Sequence, residues 1–354
     1  MGELFIALDI TTCFQVILLG FIGGVLSGFI GSGGAFFMTP GMMNLGVQGV
    51  VAVGSNITHK FGKAMVGSRK HGEMGHVDKK LGIFMLVTAL LGIRLAVWIA
   101  SSLFGSAAEH GEASGAAANL YISLVFIIVL FFVSISMLRD SLRKREEGDT
   151  GPSKKIATWL SGFRLFPMID FPVADVRVSL WVILLVGLSV GYLAGTIGVG
   201  GFLGVPAMIY VFGVPTAVAA GTELFLAMFM GAFGAINYAL EGFVDIRMVV
   251  LLYLGSLLGV FIGAYGTKVV DERIIRLVTG VIIILCVISR AVAVPIYLTQ
   301  LELLVLVDPS LFPTLNSISK GILYLSGFSG VFIILINVGR GYIRHRRAIS
   351  SITT

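Results

Sequence analysis

The residues of this chain with the most chemical capacity stand inside apolar sequence. Over residues 47–69, a stretch otherwise suited to lipid carries Ser55, Asn56, Thr58, His59, Lys60 and Lys63. Asn56, His59 and Lys63 are three and four apart, so they share a helix face. A second stretch, 215–239, holds Thr222 and Glu223, and a third, 81–104, holds Arg94. Ionisable groups inside a membrane are functional candidates by default. Hydroxyls from Ser55 and Thr222, the Asn56 amide and a cation from His59, Lys60 or Arg94 suit an oxyanion. Glu223 and His59 suit a proton. Structural alternatives stand beside these: Lys60 and Lys63 can snorkel to a membrane surface, and Glu223 can pair with His59 or Arg94.

The elements that hold these residues occur twice. Gly20 to Leu95 aligns without a gap to Gly187 to Ile262, at a constant offset of 167 residues. Gly20, Gly24 and Gly28 fall on Gly187, Gly191 and Gly195, while Gly75, Val77 and Asp78 fall on Gly242, Val244 and Asp245. Asn56 falls on Glu223, but His59, Lys60 and Lys63 fall on Leu226, Ala227 and Met230. The scaffold is duplicated and the charge is not. Glycines every four residues let helix backbones approach closely, and Asp78 and Asp245, each at a segment start, read as helix N-caps.

Apolar segments fall near 14–30, 35–45, 47–69, 81–104 and 119–138, then near 178–197, 202–213, 215–239, 246–268, 274–293 and 319–339. A span takes about 20 apolar residues, so 35–45 and 202–213 are too short. Each follows a glycine turn, GSGG at 31–34 or GVGG at 198–201. The expectation is a pair of broken, re-entrant helices. Their half-helix N-termini present free N–H groups at the break, a ready anion site, which adds Ser32, Gly33, Gly34, Gly200 and Gly201 to the candidates. Gly-interrupted segments at matching places in two halves point to a transporter's binding site.

Composition agrees with a polytopic membrane protein. Of 354 residues, 56% are hydrophobic and 12% charged, against about 25% charged in soluble domains. The net charge of +6 gathers in short loops and the tail and calls for no nucleic acid. Cys13 and Cys286 form no metal or disulfide spacing, and no cofactor motif is present. Loops 69–80, 139–177 and 268–276 and the tail RGYIRHRR are basic, whereas 105–118 and 299–318 carry acidic residues and lack Lys and Arg. The positive-inside rule then puts the N-terminus outside and the C-terminus in the cytoplasm. Loop 70–80 falls inside and its equivalent, 237–247, outside, so the two five-segment repeats are expected to be inverted. The expected divisions are 1–139, a linker at 140–177, 178–294, and 295–354 with one extra transmembrane helix. The linker's WLSGFRLFPMIDFP stretch (159–172) reads either as an interfacial segment or as a solvated one.

The doubled motif "GGVLSGFIGSGGAFFMTPGMMNLG…AVGSN" and "VGYLAGTIGVGGFLGVPAMIYVFG…AAGTE" resembles the sulfite exporter family, TauE/SafE. The resemblance covers about 14–105 and 178–293. It implies a membrane transporter with two internal repeats, and a substrate among sulfite, sulfoacetate and related sulfur-containing anions, usually exported across the inner membrane. From the residues come the inverted repeat, the half-helix anion site and the expectation of a proton or another ion as the coupling partner. Two other readings of the residues remain open: a passive anion channel, and an intramembrane serine hydrolase using Ser32 and His59.

Overall fold

The computed structural model describes residues 5–30, 34–108, 115–142, 166–198, 200–270, 272–304 and 306–350. The protein is an all-α bundle with one small hairpin. In the first half come α1 (Ile10–Ile30), α2 (Ala35–Asn44), α3 (Gly49–Glu73), α4 (Lys79–Ala108) and α5 (Ala116–Leu142). The second half holds α6 (Leu180–Ile197), α7 (Gly200–Ala207), α8 (Thr216–Leu240), α9 (Ile246–Val269) and α10 (Glu272–Gln300), and α11 (Phe312–Ser350) follows. The apolar segments expected from sequence all appear, the short ones as α2 and α7. A π-helical turn, Met208–Phe212, extends α7 just after Pro206, which removes a backbone donor.

Among the described residues, eight helices are long and apolar enough to cross a membrane: α1, α4, α5, α6, α8, α9, α10 and the first part of α11. The long helix α3 is not one of them, because its polar residues lower its hydropathy. Its first half is nevertheless internal, with Val50, Val51, Ala52, Val53, Asn56 and His59 buried, while Met65 and Val66 further along are exposed.

Packing follows the duplication. α1 lies along α9, and α4 along α6, as the closest pairs of the bundle. A Cβ on Gly24 would stand 2.5 Å from the Ser256 carbonyl oxygen and 2.7 Å from its Cα. Its equivalent, Gly191, abuts the backbone of Ala89 in the same way, with a Cβ 2.5 Å from the Ala89 Cα. Ser256 and Ala89 are themselves related by the offset. Glycine is required here because backbone meets backbone with no room for a side chain.

The equivalent helices α3 and α8 pack on one another, antiparallel: Gly54 meets Tyr238, Gly234 meets Ile57, Gly231 meets Phe61, and Gly67 meets Leu224. α5 and α10 do the same, Gly280 lying against Leu138 and Ser123 near Arg290. The helices of the two halves therefore interleave, and the contact pattern maps onto itself when the halves are exchanged.

The hairpin was not legible as such. Part of the 159–172 stretch lies outside the described residues, and the rest forms β1 (Met168–Phe171), paired antiparallel with β2 (Val176–Ser179). It is clamped to the start of α4. Asp78 accepts from Leu81 N at 3.0 Å, as an N-cap does, and from Ala174 N in the hairpin turn at 3.0 Å. Lys80 Nζ donates to the Asp170 carbonyl at 2.9 Å and sits over the Phe171 ring. Asp245 caps α9 through Arg247 N at 3.0 Å. Asp78→Ala removes both the cap and the tether, so it is expected to cost about 1–3 kcal/mol, read as a fall in thermal midpoint. Asp245→Ala, whose carboxylate is paired within α9 alone, is expected to fall less.

Candidate functional site

The left-handed end of α6 is the centre of the site. Gly198 adopts φ 76° and closes α6 by donating its N–H to Ala194 O. A Cβ there would lie 3.1 Å from Thr39 Oγ1 and 3.2 Å from Asn56 Nδ2, so both conformation and proximity call for glycine. Asn56, on α3, donates to Ala35 O at 3.2 Å and to Thr39 Oγ1 at 2.8 Å. Thr39 donates in turn to Ile197 O at 3.0 Å. One side chain from α3 thus joins the start of half-helix α2 to the end of α6. The Asn56 carbonyl oxygen is buried without a partner.

Lys60 stands one turn along α3 from Asn56. With Gly198, Ile57, Ile93 and Met230 it lines a cavity of about 20 Å³, room for a single water. An oxyanion of four or more heavy atoms exceeds the space that this cavity offers. Glu223, the repeat equivalent of Asn56, is 2% exposed, and both carboxylate oxygens lack a hydrogen-bond partner. Its carboxylate lies against Gly204 in α7, within electrostatic reach of Lys60. Lys60 and the Asn56 amide thus stand at the helix break, groups that suit an oxyanion, while the Glu223 carboxylate, a group that can carry a proton, lies further along α7 at Gly204. The half-helix α7 begins beside them at Gly200 and Gly201.

Other expected residues stand elsewhere. His59 is buried, but it faces α9: its Nε2 is 2.8 Å from Ser256 Oγ and its ring packs on Tyr253 at 4.6 Å. Arg94 does not partner Glu223. It donates to Asn237 Oδ1 at 3.2 Å and lies 3.8 Å from Glu241, with its side chain 56% exposed. Asn237 and Glu241 supply the polar partners there that a cation on a membrane helix requires. Ser55 and Thr222 are mirror images of each other: Ser55 Oγ accepts from Asp245 N at 3.1 Å and Thr222 Oγ1 from Asp78 N at 2.9 Å. Their lone pairs tie α3 and α8 to the starts of α9 and α4. Gly34 caps α2, its carbonyl accepting from Met38 N at 3.2 Å. Ser32 and Gly33 lie outside the described residues.

Thr39 belongs to the site and carries little sequence signal. The only hint is that the duplication places Pro206, a residue without an N–H, at the matching position. Tyr238, buried and donating to Gly195 O at 2.7 Å, supports the same turn from α8.

Comparison with known proteins gives a consistent result. The family model "Sulfite exporter TauE/SafE" matches residues 16–290. The chain is 25% identical over 271 residues to the probable membrane transporter protein YjnA of Bacillus subtilis (strain 168), covering 76% of this chain and 96% of that protein. It is 23% identical over 268 residues to the probable membrane transporter protein YdhB of the same organism, covering 74% and 93%. No solved structure matches the chain.

Proposed function

The chain belongs to the sulfite exporter TauE/SafE family, and from that membership and the break at Gly198 we propose that it is a secondary transporter of a small sulfur-containing oxyanion. The substrate class is sulfite or an organosulfonate, moved outward across the inner membrane. The observation that carries the proposal is the placing of Lys60 and Asn56 at the Gly198 break, with the buried Glu223 carboxylate against the half-helix that follows it. Lys60 supplies the charge, the Asn56 amide and the N–H groups opening α7 supply directed hydrogen bonds, and Glu223 carries the coupling proton.

The packing supports alternating access. Equivalent helices α3 and α8 pack antiparallel on one another, which supports repeats of opposite orientation with the site at their junction. Rocking one repeat against the other would open the one-water cavity first to one side and then to the other. The basic loops support an external N-terminus and a cytoplasmic C-terminus.

Proton coupling has a direct test. In proteoliposomes, Glu223→Gln is expected to lower sulfite flux at least tenfold and to abolish its response to an imposed pH gradient. A variant with wild-type flux and wild-type pH response would remove Glu223 from the coupling mechanism.

A further inference from the structure

Arg290 is the most deeply buried cation outside the candidate site, and the sequence gives it no prominence. It stands on α10 at 1% exposure, in contact with neutral groups. Its Nη1 donates to Asn44 Oδ1 at 2.8 Å, and its Nη2 to Ser123 Oγ at 2.9 Å and Tyr297 OH at 2.8 Å. Its Nε is buried without an acceptor, and among the described residues no carboxylate pairs with it. Asn44 ends the half-helix α2, whose C-terminal dipole offsets part of the charge. A full buried guanidinium still lacks a counter-ion, an arrangement that costs several kcal/mol when nothing pairs with it.

A cavity of about 470 Å³ lies one side chain away, at the end of the bundle where α3, α5 and α11 begin and α10 ends. Its lining includes Gln48, Asn119, Tyr297, Gln300 and Asn316, and among the described residues no acidic one. Tyr297 is shared: its ring faces the Arg290 guanidinium at 5.7 Å, its hydroxyl takes the Arg290 hydrogen bond, and it forms part of the cavity wall. The walls from Ile296 to Asn316 lie beyond the residues matched by the family model.

We propose that this cavity is a second anion site, where a small oxyanion docks on the Tyr297 hydroxyl, which is backed by the buried Arg290 guanidinium. It provides the missing counter-charge, and the surrounding amides of Gln48, Gln300 and Asn316 provide donors for the remaining oxygens. The site is separate from the break at Gly198 and does not depend on the transport reading. The ligand carries a sulfonate, sulfite or phosphate group, either free or as a lipid headgroup.

The test is calorimetric titration of the purified full-length chain in neutral detergent, with sulfite, methanesulfonate and short-chain phosphatidylglycerol as probes. It is run in the Lys60→Met background, which disables the central site. Because Asn316 lies on the cavity wall, changing its charge leaves the buried network intact. Asn316→Asp is expected to weaken binding about tenfold and Asn316→Lys to tighten it by a similar factor, the usual size for one charge at a partly solvated distance. Arg290→Gln is expected to remove binding. Whichever probe responds identifies the source of the anion. Binding by none of the probes, or equal affinity across the Asn316 series and Arg290→Gln, overturns the second site. Binding lost through Lys60→Met alone would overturn it while leaving the central site standing.

Discussion

Lys60→Met is expected to reduce sulfite transport about a hundredfold with the protein still folded, equivalent to ~3 kcal/mol, the range found when one partner of a buried charge interaction is truncated. Lys60 lines the one-water cavity at Gly198 and stands one turn from Asn56. Its loss leaves the site without the cation nearest the break. Glu223 complicates the reading, since it is within electrostatic reach and would be left uncompensated. The double variant Lys60→Met/Glu223→Gln resolves this. If Lys60 served Glu223 alone, removing both charges would restore sulfite binding; if it binds substrate, binding stays weak. Lys60→Arg, which keeps the charge but changes its shape, is expected to keep part of the activity. Initial rates in proteoliposomes measure the two single variants, and sulfite binding to the purified protein measures the double variant, because Glu223→Gln alone lowers flux.

The second large effect is structural. Gly24→Leu and Gly191→Leu are each expected to abolish accumulation of folded protein, because the added side chain meets the backbone of α9 or α4 rather than a movable side chain. Overpacking a well-filled core costs about 1–3 kcal/mol even where neighbours can shift, and here the helices themselves must separate. Gly72→Ala is the control: a Cβ at Gly72 has nothing within 4 Å, and alanine is the better helix former by about 1 kcal/mol. Size-exclusion profiles in detergent distinguish the three. If Gly24→Leu and Gly191→Leu differed greatly, the equivalence of the two seams would fail.

The helices and their order could be read from the sequence because hydropathy and glycine spacing are strong, repeated signals. The Gly24 and Gly191 seams are an example, since the duplication shows them before any contact is known. The internal arrangement of α3 was less legible. At about 100° per residue, Asn56 and Lys60 lie about 40° apart and Asn56 and His59 about 60° apart on opposite sides. Spacing alone groups all of them. The break takes Asn56 and Lys60, whereas α9 takes His59 through Ser256 and Tyr253.

Arg94 misleads from sequence because a mid-segment arginine suggests burial, yet Asn237 and Glu241 meet it at an exposed edge. Arg290 carries no signal of its own within the 274–293 segment, yet three neutral partners from three elements enclose it. The hairpin at 168–179 is held by Asp78 and Lys80, more than 80 residues away in sequence, and no local pattern announces such a tether.

Counterflow in proteoliposomes tests the central claim most directly. Vesicles loaded with unlabelled sulfite and diluted into trace labelled sulfite would accumulate the label above equilibrium and then lose it, because a carrier exchanges substrate through a single alternating site. Label entering only to equilibrium, without the overshoot, would indicate a passive channel. No entry of sulfite or any organosulfonate would contradict the assignment of a sulfur oxyanion to this site.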